Sequence, residues 1–140
     1  RFGIATAMMP YHDHNADRVR PGIIAALQEG ARFVLVSDAG TPLISDPGAK
    51  LVREARRAGV PVHPLPGPSA FVAALSAAGV ATDRFLFAGF PPPKAEARRK
   101  FLAGLAGIPA NLVFYESPQR LSASLAAMTE AFGARRAVIA

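Results

Sequence analysis

The chain has 140 residues, 51% of them hydrophobic, with a formal net charge of +6 and no cysteine. That apolar content supports a core and argues against disorder, while the lack of cysteine excludes disulfides and thiolate metal sites and fits a reducing compartment. No apolar stretch is long enough to cross a bilayer and nothing resembles a signal peptide, so a cytosolic protein is expected.

In chain order, residues 7–12 read as a short strand that Pro10 confines to an edge or an ending. Asn15 caps a helix over 16–29, with Ile23, Ile24 and Leu27 as its apolar stripe and Gly30 as its stop. A strand at 33–36 then runs into a loop at 37–48 in which turn formers stand at nearly every step. A helix over 49–58 ends at Gly59 and leads into a strand at 60–65. A second turn-rich segment, Pro66-Gly67-Pro68-Ser69-Ala70, opens another helix that ends near Gly79. This alternation is a βαβ rhythm and implies a mostly parallel sheet covered on both faces.

After Asp83 the texture changes, and a domain boundary is expected there: an N-terminal α/β domain over 1–82 and a C-terminal one over 83–140. A strand at 84–90 is followed by the stiff Pro91-Pro92-Pro93, a basic helix over 94–105, a strand at 112–115 and a helix over 118–132. Ser117 as cap with Pro118 at the first helical position starts that helix, and Leu121, Leu125, Met128 and Phe132 space its buried face. Arg1 opens the chain without a methionine and residues 137–140 close it inside an apparent strand, which reads as an internal stretch of a longer protein. Residues 83–140 hold eight Lys/Arg against four Asp/Glu, residues 1–82 eight against six, so the second part is the more basic. Nucleic acid is the natural acidic partner of such a surface, a solvated face the plainer reading.

The loop at 37–48 lacks both the Gly-x-Gly-x-x-Gly of dinucleotide folds and the Gly-Lys-Ser/Thr of phosphate-binding loops, so its ligand is not held as a diphosphate. Asp38 and Asp46 accept hydroxyl hydrogen bonds from a ligand, or else cap turns. Gly40 permits close backbone approach, and Pro42 and Pro47 fix the loop's path. Pro66-Gly67-Pro68-Ser69-Ala70 is not a hydrolase nucleophile elbow, because Phe71 stands where the second glycine must be and Pro68 removes an amide. Ser69 is better read as a helix cap. His12-Asp13-His14-Asn15 gathers polar groups without the partners a metal site needs, leaving turn and capping duty, or for His14 an acid–base role near a substrate hydroxyl. Glu116 and Arg120 form an ion pair at a helix start, or Arg120 holds a phosphate there. Lys94, Arg98, Arg99 and Lys100 make a basic face.

Together the motifs Ser37-Asp38-Ala39-Gly40-Thr41-Pro42-Leu43-Ile44-Ser45-Asp46-Pro47-Gly48, Pro64-Leu65-Pro66-Gly67-Pro68-Ser69-Ala70, Leu75-Ser76-Ala77-Ala78-Gly79, Asp83-Arg84-Phe85, Gly89-Phe90 and Phe114-Tyr115-Glu116-Ser117 closely resemble the bacterial 16S rRNA cytidine 2′-O-methyltransferases of the tetrapyrrole methylase superfamily. The resemblance spans nearly the whole chain. It implies two α/β domains, both incomplete here, with S-adenosylmethionine in a cleft between them and a cytidine 2′-hydroxyl of 16S rRNA in the small ribosomal subunit as acceptor. By the same likeness Asp38, Gly40, Thr41, Ile44, Ser69, Ala70 and Tyr115 bind the cofactor, and Lys94, Arg98, Arg99 and Arg120 meet RNA. No metal and no membrane are implied. Superfamily members are often homodimers, and no stripe in this chain marks such an interface. The superfamily's opening strand with its Gly-Thr-Pro-Ile-Gly-Asn-Leu-type loop is missing, and Gln119 stands where some relatives carry histidine. A ribose hydroxyl needs a base or a strong acceptor, for which His14 and Glu116 both qualify, and the sequence does not choose between them. A porphyrinoid acceptor and a non-catalytic ligand-binding module are the competing readings.

Overall fold

A computed structural model of the chain describes residues 3–140; Arg1 and Phe2, with which the expected first domain begins, lie outside the described residues. Residue contacts group the chain into two compact units, Arg1–Pro68 and Ser69–Ala140.

The first unit holds α1 (Ala16–Gln28) and α2 (Ala49–Arg57), close to the expected helices, with Ala16, Ile23 and Ala55 buried. Asn15 occupies the N-cap of α1, but its side chain faces backward. Its Nδ2 donates to the Pro10 carbonyl and its Oδ1 accepts from the His12 N–H, each at 2.9 Å. The near-helical backbone of Asn15 (φ −116°, ψ −12°) explains this, since a side-chain cap needs an extended residue. Arg20 joins the two helices. Its guanidinium donates to Asp17 Oδ1 at 2.9 Å and pairs with Glu54 Oε1 at 2.8 Å, while Lys50 Nζ stands 3.7 Å from Asp17. The Arg20 hydrogen bond, with the Lys50 charge behind it, holds the Asp17 carboxyl below its ordinary range, and Asp17 in turn raises the guanidinium.

Residues 7–12, 33–36 and 60–65, expected as strands, are irregular instead. A strand exists through its ladder to a neighbour, and none of the three finds one among the described residues. Their apolar side chains Met8, Val34, Val36 and Leu65 are accordingly exposed. Residues 137–140 are irregular for the same reason.

The second unit is built on a β–α–β crossover of the expected kind: β1 (Phe85–Phe87), α4 (Ala95–Ala103) and β2 (Asn111–Val113), preceded by α3 (Ala70–Ala77) and followed by α5 (Pro118–Phe132). The two strands are parallel, with Leu86 opposite Leu112. Hydrogen bonds from Asn111 N–H to Arg84 and from Tyr115 N–H to Gly89 carry the pairing beyond them on both sides. The architecture is therefore mixed, five helices and one small sheet among the described residues. α4 and α5 pack together around Leu102 and Ser124, both fully buried. Leu121, Leu125, Met128 and Phe132 are half-buried rather than core, and the deepest side chains of α5 are Ser124 and Ala127. Composition puts the change of texture near residue 83, whereas α3 groups by contact with the β–α–β crossover, because the Phe71 ring stacks on Phe87 with centroids 4.5 Å apart.

Candidate functional site

The loop at 37–48 is closed at its neck by one hydroxyl. Ser37 Oγ lies 2.6 Å from Asp46 Oδ2 and 2.7 Å from the Ala39 carbonyl, and accepts the Ala39 N–H at 3.3 Å. Asp46, a candidate ligand acceptor from sequence, is thus occupied within the protein. Leu43 (φ 73°) and Ser45 (φ 60°) adopt the left-handed conformation that disfavours side chains, at a cost of about 1–2 kcal/mol each. The closed neck and the flanking prolines hold that strain in place.

The two turn-rich segments meet inside the first unit. Thr41 Oγ1 donates to the Pro68 carbonyl at 2.9 Å. A Cβ placed on Gly67 would stand 3.5 Å from that hydroxyl, and one on Gly40 3.8 Å from the Pro68 oxygen. Both are ordinary van der Waals distances, so the left-handed φ of 75° at Gly40, rather than lack of space, is what calls for glycine in the crossing. Asp38, Gly40 and Ile44 are exposed along the loop, and Thr41 is half-buried. Replacing Thr41 with valine keeps the shape and deletes the donor, with an expected stability loss of about 1 kcal/mol and faster exchange of the Ile44 amide, which lies 3.4 Å from the Thr41 carbonyl; thermal unfolding and hydrogen exchange read both. His14 is exposed, its ring edge-on to His12 with centroids 5.9 Å apart.

In the second unit, Ser69 occupies the N-cap of α3 with an extended backbone, yet its hydroxyl makes no cap bond. The oxygen is enclosed by protein and has no hydrogen-bond partner. The nearby free amide of the helix, Phe71 N–H, is taken instead by the Tyr115 hydroxyl at 3.3 Å. Tyr115 is fixed from two further sides by Phe87 (4.8 Å) and Phe90 (5.4 Å). An aromatic clamp therefore supports the start of α3 and frees the serine. Ala70, Tyr115 and Glu116 come together on a cavity of about 590 Å³, whose other walls include Phe71, Leu75 and Leu121. This volume and apolar lining suit a small organic ligand.

Glu116 is held firmly. Its side chain is 6% exposed; Oε1 accepts the Ser117 N–H at 2.9 Å and lies 3.4 Å from Arg120 Nε, and Oε2 accepts the Ser124 hydroxyl. Arg120 also donates to the Pro91 carbonyl, and Arg98, buried, donates to the Pro93 carbonyl at 3.2 Å. Two guanidiniums expected to meet RNA thus reach the carbonyls of the triple proline, which has acceptors but no amide donors. Arg99 lies 3.6 Å from Glu130, with both side chains largely exposed, and Lys94 is the exposed N-cap of α4. Ser124, unnoticed in the sequence, had a signal there: a hydroxyl inside the apolar stripe of α5 needs a buried partner.

The profile of the family described as Tetrapyrrole (Corrin/Porphyrin) Methylases matches residues 4–140. Among curated relatives, the protein named Ribosomal RNA small subunit methyltransferase I is 54% identical in Mesorhizobium japonicum, over 97% of this chain and 46% of that protein. Its namesake in Pseudomonas aeruginosa is 51% identical over 99% of the chain and 50% of that protein, and that of Xylella fastidiosa 50% identical over the same shares. The chain spans about half the length of the curated relatives it matches. No helix among the described residues is long and apolar enough to cross a membrane.

Proposed function

The chain belongs to the tetrapyrrole methylase family, and we propose from that membership that the protein containing it uses S-adenosylmethionine to methylate the 2′-hydroxyl of a cytidine in 16S rRNA of the small ribosomal subunit, in the cytoplasm. The names of the relatives support an rRNA acceptor, and the sequence motifs the 2′-O-cytidine position. For the longer protein we adopt the arrangement the resemblance implies, two α/β domains flanking a cofactor cleft and a homodimeric assembly.

The residues present fit the cofactor, and the observation that carries this is the Ser69 hydroxyl: enclosed, unpartnered and relieved of capping by Tyr115. A buried hydroxyl left unpaired is costly unless a ligand meets it. Gly40, Thr41 and Ile44 with exposed Asp38 on the first loop, and Ser69 and Ala70 after the second, are proposed to hold the cofactor, with Tyr115 supporting them. Bound there, adenosylmethionine supplies an electrophilic methyl on a sulfonium. The chain's own task is to orient the ribose hydroxyl in line with that methyl and to accept its proton. We assign the proton to an imidazole nitrogen of His14, which is exposed and free, and a positioning role to Glu116, whose two oxygens are already engaged. Lys94 and Arg99 remain the RNA contacts of α4, while Arg98 and Arg120 shape the surface beneath.

The intact protein should transfer labelled methyl from adenosylmethionine to small ribosomal subunits, with the label recovered as 2′-O-methylcytidine. Label on a base, or on a porphyrinoid offered in parallel, would overturn the assignment. Ser69→Ala gives a sharper outcome. N-cap serines ordinarily contribute about 1 kcal/mol, yet this change should leave thermal stability nearly unaltered while weakening adenosylmethionine binding about fivefold to tenfold by calorimetry.

A further inference from the structure

We propose that the outward face of α2, carrying Arg53, Arg56 and Arg57, is a phosphate-binding surface on which the RNA substrate is seated. The inference rests on the rRNA reading above and deepens it by naming where the nucleic-acid backbone is held.

Spacing of three and four residues puts these arginines on one side of the helix, opposite the buried Ala55. All three are exposed, and among the described residues none lies within 4 Å of a carboxylate. The acids that could have neutralised them are spent elsewhere. Glu54 pairs with Arg20 at 2.8 Å, and Asp17 is shared between Arg20 and Lys50. Acid–base pairing is thus concentrated where α1 meets α2, and the outer side is left purely cationic.

A face that merely stabilised the helix would be built differently. Arg56 and Arg57 lie in the last turn, where a cation complements the helix dipole, but Arg53 does not. Arg53 and Arg57 are a like-charge pair four residues apart, which disfavours the helix, and the acid at helical spacing from Arg57, Glu54 three residues before it, is paired with Arg20 instead. A polyanion removes that repulsion and gains counterion release. The planar guanidinium, rather than the lysine ammonium, suits bidentate contact with phosphate oxygens. By contrast, Arg98 of α4 is buried and tied to the Pro93 carbonyl.

The test is the triple variant Arg53→Gln, Arg56→Gln, Arg57→Gln in the intact protein, titrated with 16S rRNA and with small ribosomal subunits over roughly 50 to 200 mM salt. The affinity at low salt should fall about tenfold or more, and the slope of log K against log salt should shrink by about two. Adenosylmethionine affinity and unfolding midpoint should stay as in the parent, and the triple lysine variant should regain most of the slope. An unchanged slope in a protein that still methylates rRNA overturns the surface and leaves the function standing. A parent protein that does not bind 16S rRNA at all overturns both. Loss of binding to anionic vesicles or an acidic protein, with rRNA binding intact, assigns the face to another partner and also overturns the proposal.

Discussion

Gly48→Ala is expected to lower the stability of the protein by about 2–4 kcal/mol and to abolish detectable adenosylmethionine binding, the first read by denaturant unfolding and the second by calorimetry. Gly48 has φ 131°, which side-chain-bearing residues rarely adopt, and it is buried at the foot of the 37–48 loop. A Cβ there would stand 2.8 Å from Leu35 Cδ2 and 3.3 Å from Leu43 Cδ1. Both contacts are the ends of flexible side chains and can give way, but the φ of 131° at position 48 remains strained for any residue with a Cβ. Relief therefore comes by opening the neck that Ser37 and Asp46 close, which moves Thr41 off the Pro68 carbonyl. Full-strength binding by a folded Gly48→Ala protein would show that this loop does not hold the cofactor.

The second large effect is at Glu116. Alanine there removes the acceptor of the Ser117 N–H and of the fully buried Ser124 hydroxyl and leaves the Arg120 guanidinium without its anion, for a loss of about 2–4 kcal/mol. Glutamine is the informative companion. Its carbonyl still accepts from Ser117, its amide can donate to Ser124, and only the ionic part with partly exposed Arg120 is lost, so about 1 kcal/mol is expected. With His14 as the proton acceptor, Glu116→Gln keeps most of its turnover, whereas His14→Ala loses about a hundredfold or more of the methylation rate with its fold unchanged. The opposite pattern in single-turnover assays would move the proton to Glu116.

How far the sequence could be read depended on what each feature needs for its existence. Ser117, Pro118 and Gly133 punctuate α5 locally, and its residue range follows from them. Segments 33–36 and 60–65 have strand composition, but a ladder depends on a neighbour, and composition cannot supply one. The two turn-rich loops were visible as loops; the bond from Thr41 to Pro68 that makes them meet joins residues 27 apart and leaves no local trace. Ser69 and Tyr115 are legible as candidate site residues, but not the exchange of duties between them, because capping by a tyrosine 44 residues away has no spacing rule. The basic helix misled in a similar way. Arg98 and Arg120 look like any surface cations, and only the fold reveals that backbone carbonyls hold them, while the freer arginines lie on α2.

The Pro91-Pro92-Pro93 segment, fastened through the side chains of Arg98 and Arg120, matters for how the chain avoids trouble while it folds. β1 ends beside Phe90, and the Phe85 and Phe90 rings are both about half exposed, the kind of sticky strip that recruits a foreign strand into an intermolecular sheet. Three consecutive imide nitrogens carry no hydrogen to offer such a visitor. A foreign ladder that extends along the chain past β1 and Phe90 therefore meets three residues without donors, which limits its length, the effect of a gatekeeper against aggregation.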